Sequence, residues 1–170
     1  MDKQRIVIVG AQAVGHDGVD KRMDVLATAL KAGMTVSDLA QLELCYAPPV
    51  GSAKDPVNLA GMIAENQMAG DVELAQWNEV EHLNPSETLL LDVRQPEEWE
   101  QGAIPNAINI PLPELRERLD ELPGEKEIVV YCLSGQRSYY ACRILSGHGF
   151  RCRNLTGAYR TWATATRQRS

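Results

Sequence analysis

Cys132 is the residue of this 170-residue chain best placed to do chemistry. It directly follows the apolar run Glu127-Ile128-Val129-Val130-Tyr131 and precedes Leu133-Ser134-Gly135-Gln136-Arg137-Ser138. The first segment reads as a buried strand and the residues from Arg137 onward as the start of a helix, which puts the cysteine in a strand-to-helix loop. In open α/β sheets, ligands sit at the carboxyl ends of strands. Successive backbone N–H groups of such a loop can turn inward around the sulfur, and the helix dipole adds partial positive charge. Gly135 permits the tight backbone, and Arg137 places a guanidinium at the rim. All of these favour thiolate over thiol, and thiolate is the nucleophile.

Loop length separates the candidate reactions. Four residues lie between Cys132 and Arg137. The phosphate-cradling loops of cysteine phosphatases are one residue longer, because a tetrahedral oxyanion needs the wider ring. The shorter loop suits a persulfide sulfur and disfavours a phosphatase or an arsenate reductase.

The elements that must position this loop come from residues 71–170. Residues 87–91 form a near-continuous apolar segment, as expected of a strand covered on both faces, and Asp92-Val93-Arg94 ends it. Residues 96–100 suit a short helix and 107–110 a second strand. Residues 112–122 predict a helix with Leu115, Leu119 and Leu122 on one face. A helix over 137–146 carries Tyr140, Ala141, Ile144 and Leu145 inward and stops at Gly147 and Gly149. A strand over 150–155 and a helix over 158–167 close the pattern. Strands alternating with helices predict an α/β fold with a mostly parallel sheet between helix layers.

The C-x-x-G-x-R-S pattern of Cys132 to Ser138 occurs with Asp92-Val93-Arg94 and Ile104-Pro105-Asn106-Ala107-Ile108-Asn109-Ile110-Pro111 upstream. Together these resemble the rhodanese family over about residues 72–162. The resemblance implies a rhodanese-like parallel sheet flanked by helices and a two-step sulfur transfer. Cys132 would take a sulfane sulfur from thiosulfate, a polysulfide or a low-molecular-weight persulfide, and a thiol or cyanide would then remove it. Cys132 and Arg137 are the implied catalytic residues, with Arg137 orienting an anionic donor. Leu133, Ser134, Gly135, Gln136 and Ser138 are the implied substrate-binding residues, and Asp92 and Arg94 brace the loop. The sequence departs from the family in three places: Ala103 where many members carry histidine, Asn106 for a common glycine, and a single glycine, Gly157, where two are usual. None of these touches the cysteine loop.

Composition excludes other classes. Aromatic residues make up 5% of the chain and the net charge is −6. Nucleic-acid binding rests on stacking platforms and clustered Lys and Arg, so no nucleic-acid partner is expected. The longest apolar run falls far short of the roughly 20 residues of a membrane span. Met1-Asp2-Lys3-Gln4-Arg5 shows no signal-peptide pattern, so a cytoplasmic protein without membrane association is expected. The four cysteines (45, 132, 142 and 152) form no CxxC pair, and His16, His82 and His148 lie near no cysteine pair. No metal site is expected. Cys45 reads as a small buried apolar residue, and Cys142 and Cys152 read as structural, with a resolving role for either as the alternative.

Residues 1–70 follow a different grammar. Arg5-Ile6-Val7-Ile8-Val9 reads as a strand running into Gly10-Ala11-Gln12-Ala13-Val14-Gly15, which lacks the middle glycine of a dinucleotide fingerprint. A helix follows, with Val19, Met23, Leu26, Ala27 and Leu30 on one face and Gly33 as its stop. Thr35-Val36-Ser37-Asp38 reads as the capping box of a helix through Leu44. Asp55-Pro56 starts a third helix, with Leu59, Met62, Ile63 and Asn66 on a mostly apolar face. One strand and three helices make a small, incomplete α+β segment. The Gly10 to Gly15 segment, Gly18-Val19-Asp20-Lys21-Arg22 and the stretch from Tyr46-Ala47-Pro48-Pro49 to Asn58 resemble the dimerisation domain of flavoprotein disulfide reductases. The coenzyme A-disulfide reductase and NADH oxidase group, one branch of which carries a C-terminal rhodanese domain, is the nearest within it. The resemblance implies a truncated dimerisation domain over 1–70 followed by a rhodanese domain over 71–170. It also implies association through residues 1–70, either as a homodimer or with a flavoprotein partner. The parent family uses FAD, NADH and coenzyme A, and this chain is expected to bind none of them itself. Tyr46 and Lys54, without flavin domains to act on, read as structural. The alternative to a turnover enzyme is a sulfur carrier that serves a flavoprotein disulfide reductase.

Overall fold

The computed structural model of the chain describes residues 6–49 and 51–167. The chain divides into two compact units, Met1–Ala69 and Gly70–Ser170.

The first unit is built from three helices, α1 (Val19–Lys31), α2 (Val36–Ala40) and α3 (Pro56–Met68). The Thr35 capping box forms, with the Thr35 hydroxyl accepting from the Asp38 N–H at 3.2 Å and the Asp38 carboxylate accepting from the Thr35 N–H at 2.7 Å. Asp55 caps α3 ahead of its first-turn proline. Four expectations fail here. α2 stops at Ala40 rather than running through Leu44. Among the described residues, the segment from Ile6 to Val9 makes only an isolated antiparallel bridge, between Val7 and Thr35, because it has no second strand to extend along; Arg5 lies outside the described residues. On α3 the buried face is Val57, Asn58 and Gly61, while Leu59 and Ile63 are about half exposed. The reason is backbone proximity. A Cβ at Gly61 would collide with the backbone nitrogen of Ala40 and the carbonyl oxygen of Val36. Asn58 meanwhile donates to the carbonyls of Leu39 and Leu42 at 3.0 and 2.9 Å, satisfying the open end of α2. Close approach and polar satisfaction, not apolar periodicity, choose the face. On α1, Ala29 is the buried residue and Ala27 is exposed. Residues 10–15 lie in no helix or strand.

The second unit is an α/β fold around a five-stranded, wholly parallel sheet flanked by helices. Its strands are β1 (Glu73–Ala75), β2 (Thr88–Asp92), β3 (Ala107–Asn109), β4 (Glu127–Tyr131) and β5 (Cys152–Leu155), in the spatial order β1-β5-β4-β2-β3. Helices α4 (Pro96–Glu100), α5 (Gln136–Gly147) and α6 (Ala158–Arg167) accompany them. β4 is central, and Ile128, Val129, Val130 and Tyr131 are fully buried, which explains its unbroken apolar sequence. β1 and the short 3-10 segment Trp77–His82 have no counterpart in the sequence reading. Three residues are too few for a period-2 pattern, and β1 exists because it can pair with β5.

The predicted helix over 112–122 does not form. Residues 112–117 turn, and only a 3-10 segment, Leu119–Glu121, follows. The leucines are buried at Leu115 and Leu122 all the same. The apolar spacing records which side faces the core, not a continuous helix. Two departures from the family pattern are explained by the backbone. Asn106 and Ala158 both stand at positive φ, 65° and 49°, so the chain keeps a left-handed conformation where glycine is usual. Asn tolerates that conformation; Ala158, fully buried at the start of α6, adopts it under strain.

Candidate active site

Cys132 follows the last residue of β4, and Gln136 opens α5. The loop between them is shaped by where its carbonyls are held. The N–H groups of Tyr159 and Arg160, in the first turn of α6, take the carbonyls of Cys132 and Leu133 at 3.0 and 3.1 Å. The Gly135 carbonyl accepts from the Ser138 hydroxyl at 3.1 Å and the Asn154 amide at 3.2 Å. With its carbonyls drawn outward, the loop turns N–H groups toward the sulfur. Gly135, at φ 111°, allows this reversal and donates its N–H to the Cys132 Sγ at 3.1 Å.

The thiol is 1% exposed, and burial alone would raise its pKa. Donors outweigh that effect. The Ser138 hydroxyl, 3.5 Å from the sulfur, and the backbone N–H groups of Ser138, Gly135 and Ser134 hold the Cys132 thiol below its ordinary value. This is a buried anion cradle made from hydrogen bonds.

Arg137 stands at the rim near the sulfur, and its guanidinium is gripped by a residue the sequence reading did not single out. Glu98 of α4 accepts from both of its terminal nitrogens, at 2.6 and 2.7 Å. The Arg137 hydrogen bonds bring the Glu98 carboxyl down to about 2 against the opposing effect of burial. Arg137 is therefore not a bare cation facing the loop. Gln136 and Ser134 are exposed, Leu133 is half-buried, and the Gln136 amide reaches Tyr140 at 3.3 Å.

Asp92 and Arg94 are buried together, 0% and 2% exposed, with Arg94 Nη2 2.6 Å from Asp92 Oδ2 and its Nε bonded to both carboxylate oxygens. Arg94 also reaches the Gly102 carbonyl at 2.8 Å and lies 4.1 Å over the Tyr159 ring. Tyr159 is the residue whose N–H holds the Cys132 carbonyl. The pair thus reaches the loop through one intermediate residue and does not touch the sulfur.

Sequence reasoning missed Glu98, Asn154 and the α6 amides. The Pro96-Glu97-Glu98 start gave a charge complementary to Arg137 but no address for it. The amides have no side-chain signature at all. Cys45, read as buried, is exposed.

A five-stranded parallel sheet flanked by helices, with a buried, donor-surrounded cysteine at the carboxyl end of its central strand, is the architecture of a rhodanese-like domain. The rhodanese-like domain family matches residues 76–165, and the chain belongs to that family. A sulfurtransferase of Allochromatium vinosum is 42% identical over 78 residues, covering 45% of this chain and 73% of that protein. Among solved structures, the reduced CoADR-RHD of Bacillus anthracis is 49% identical with a TM-score of 0.86, over 90% of this chain and 28% of that one. A NAD-dependent persulfide reductase from A. fulgidus is 44% identical with a TM-score of 0.76, over 87% of this chain and 26% of that one. Both likenesses cover about nine-tenths of the chain and so extend into the first unit. The chain spans little more than a quarter of the length of either protein. Among the described residues, no helix is long and apolar enough to cross a membrane.

Proposed function

We propose that the second unit is a persulfide-forming sulfurtransferase. The Cys132 thiolate attacks the sulfane sulfur of a donor, forming a Cys132 S–S bond as the donor's own bond to that sulfur breaks and its electron pair leaves with the remainder: sulfite from thiosulfate, a thiolate from a persulfide. An acceptor thiolate or cyanide then attacks the outer sulfur and releases the Cys132 thiolate. The loop amides hold the negative charge at both stages, so little reorganises between them. Cys132 is the nucleophile, Ser134, Gly135 and Ser138 supply the donors, Leu133 and Gln136 line the approach, and Asp92 and Arg94 hold the loop from below. The observation that carries this reading is the convergence of donors on a buried cysteine sulfur in a loop too short to wrap a tetrahedral phosphate.

The Glu98–Arg137 pair bears on the donor. A guanidinium already neutralised by a carboxylate offers little to a dianion such as thiosulfate. A persulfide carried on a small thiol needs no such cation, so it is the preferred donor. Intact mass of the chain after incubation with glutathione persulfide or thiosulfate, beside Cys132→Ser and with thiocyanate release followed in parallel, tests the assignment. Gain of one sulfur and turnover, both absent in the variant, support it; turnover of phosphate esters or arsenate instead refutes it.

A second reading is favoured by the likeness to CoADR-RHD and the persulfide reductase across both units. Here the first unit, with Leu59, Ile63 and Met68 exposed on α3, associates with a second copy or with a flavoprotein disulfide reductase. The chain then serves as a sulfur carrier turned over by that partner's electrons. On this reading FAD, NADH and coenzyme A belong to the partner. Sulfur loading without steady-state turnover until a reductase is added distinguishes it from the first.

A further inference from the structure

The structure brings together two thiols that the sequence separates by ten positions. Cys142, 1% exposed, lies in the middle of α5, and Cys152 is the partly exposed first residue of β5. The two residues are neighbours where α5 packs on β5. Cys152 Sγ is also 3.5 Å from the Cys142 carbonyl oxygen and 3.4 Å from the Ser146 hydroxyl. Cysteines that merely fill space meet apolar neighbours; this sulfur meets a hydroxyl and the backbone carbonyl of the other cysteine.

The pair is asymmetric. The Cys142 thiol, together with the hydroxyl and backbone N–H of Ser146, favours the ionised form of Cys152 over the opposing effect of burial. The same contact and its own burial push Cys142 up. One thiol is therefore reachable and disposed to ionise, and the other waits protonated beside it. That is the arrangement of an attacking and a resolving sulfur. It is separate from the Cys132 loop. Cys152 pairs with Ile128 at the start of β4, whereas Cys132 follows the end of that strand, about 13 Å away at roughly 3.3 Å per residue.

We propose that Cys142 and Cys152 form a dithiol redox site that takes up oxidising equivalents from low-molecular-weight disulfides. The Cys152 thiolate attacks one sulfur of the disulfide; a mixed disulfide forms on Cys152, and the other half leaves as a thiolate. Cys142 then gives up its proton to that departing thiolate or to water and attacks the Cys152 sulfur, displacing the second half as a thiolate. Two protein thiols are oxidised to one disulfide, and one small disulfide is reduced to two thiols. No further oxidant is needed. The step does not depend on sulfur transfer at Cys132.

The test uses the full chain carrying Cys45→Ser and Cys132→Ser, so that the pair holds the only thiols. The reduced protein is incubated with 2-hydroxyethyl disulfide at neutral pH and followed by intact mass and peptide mapping. The expected result is a transient adduct on Cys152, then a product lighter by two hydrogens with a Cys142–Cys152 cross-linked peptide and no free thiol. Adding Cys142→Ser should stop the reaction at the Cys152 adduct; adding Cys152→Ser should leave Cys142 unreacted. A stable adduct on Cys152 while Cys142 is present, first attack at Cys142, or no reaction while free glutathione is oxidised, would each overturn the proposal. Should a variant fail to fold by circular dichroism, the rise and fall of the adduct in the parent decides alone.

Discussion

Replacing Ser138 by alanine isolates the side-chain donor to the Cys132 sulfur. The Ser138 hydroxyl lies 3.5 Å from the sulfur, is fully buried, and leads the effects that lower the Cys132 pKa. A hydrogen bond to a charged group contributes about 1.5–3 kcal/mol, and a long sulfur contact belongs at the lower end. One pKa unit corresponds to about 1.4 kcal/mol, so Ser138→Ala should raise the Cys132 pKa by about one unit. The sign follows directly. The donor favours thiolate, its loss moves ionisation to higher pH, and a thiolate-dependent rate falls about ten-fold on the acid side while recovering at high pH. The assay is the rate of Cys132 alkylation by iodoacetamide between pH 5 and 10. Ser138 also bonds the Gly135 carbonyl, so loosening of the loop needs its own control. Asn154→Ala removes the other side-chain donor to that carbonyl without touching the sulfur. An unmoved alkylation profile in Ser138→Ala, or an equal shift in Asn154→Ala, would refute the reasoning.

Other expectations follow from the same contacts. Glu98→Gln frees the Arg137 guanidinium and should lower the KM for thiosulfate by roughly three- to ten-fold, with little change for a persulfide donor, measured by thiocyanate release. Because the folded Glu98 pKa is depressed to about 2 from 4.5, its stabilising effect is present above about pH 4.5 and fades between there and 2; urea midpoints of Glu98→Gln and the parent should converge over that window. Asp92→Asn leaves Arg94 charged and buried without its carboxylate, at a cost of about 3–5 kcal/mol, visible as an early urea midpoint for the second unit. Ala158→Gly relieves a left-handed alanine at φ 49° and should stabilise the second unit by up to about 1 kcal/mol, after the unfolded-chain entropy of glycine is subtracted, read as a raised Tm. Gly61→Ala forces a methyl group against the α2 backbone and should destabilise the first unit by about 1–3 kcal/mol, read from helical circular dichroism on heating.

Much of the second unit was legible because its signals are local. A continuous apolar segment such as 127–131 can only be a covered strand, and a cysteine immediately after it must lie at the sheet's carboxyl edge. The partners of that cysteine were legible as far as the loop itself extends. Glu98, Asn154 and the α6 amides were not, since each arrives from an element tens of residues away, and the amides are atoms every residue possesses. The helix expected over 112–122 failed because leucines spaced for a helix also serve a run of turns that buries the same side. α3 misled for the opposite reason: its buried face holds a glycine and an asparagine beside Val57, while Leu59 and Ile63 are exposed. The Cys142–Cys152 contact needs α5 and β5 in register and leaves no trace in residue spacing.

Every group that draws the loop carbonyls outward lies downstream of the nucleophile: Ser138, Asn154, Tyr159 and Arg160 all follow Cys132 in the chain. The edge strand β1 likewise pairs Glu73 with Arg153, eighty positions later. During synthesis, the Cys132 loop therefore gains its full set of outward carbonyl contacts only when β5 and α6 have been made and docked. Long-range closure of this kind is slow compared with local helix formation. On the proposed function, a nascent chain halted after α5 should react with sulfane donors no faster than a free cysteine, and the thiol would be exposed to donors only as an unassisted one until the cradle closes around it.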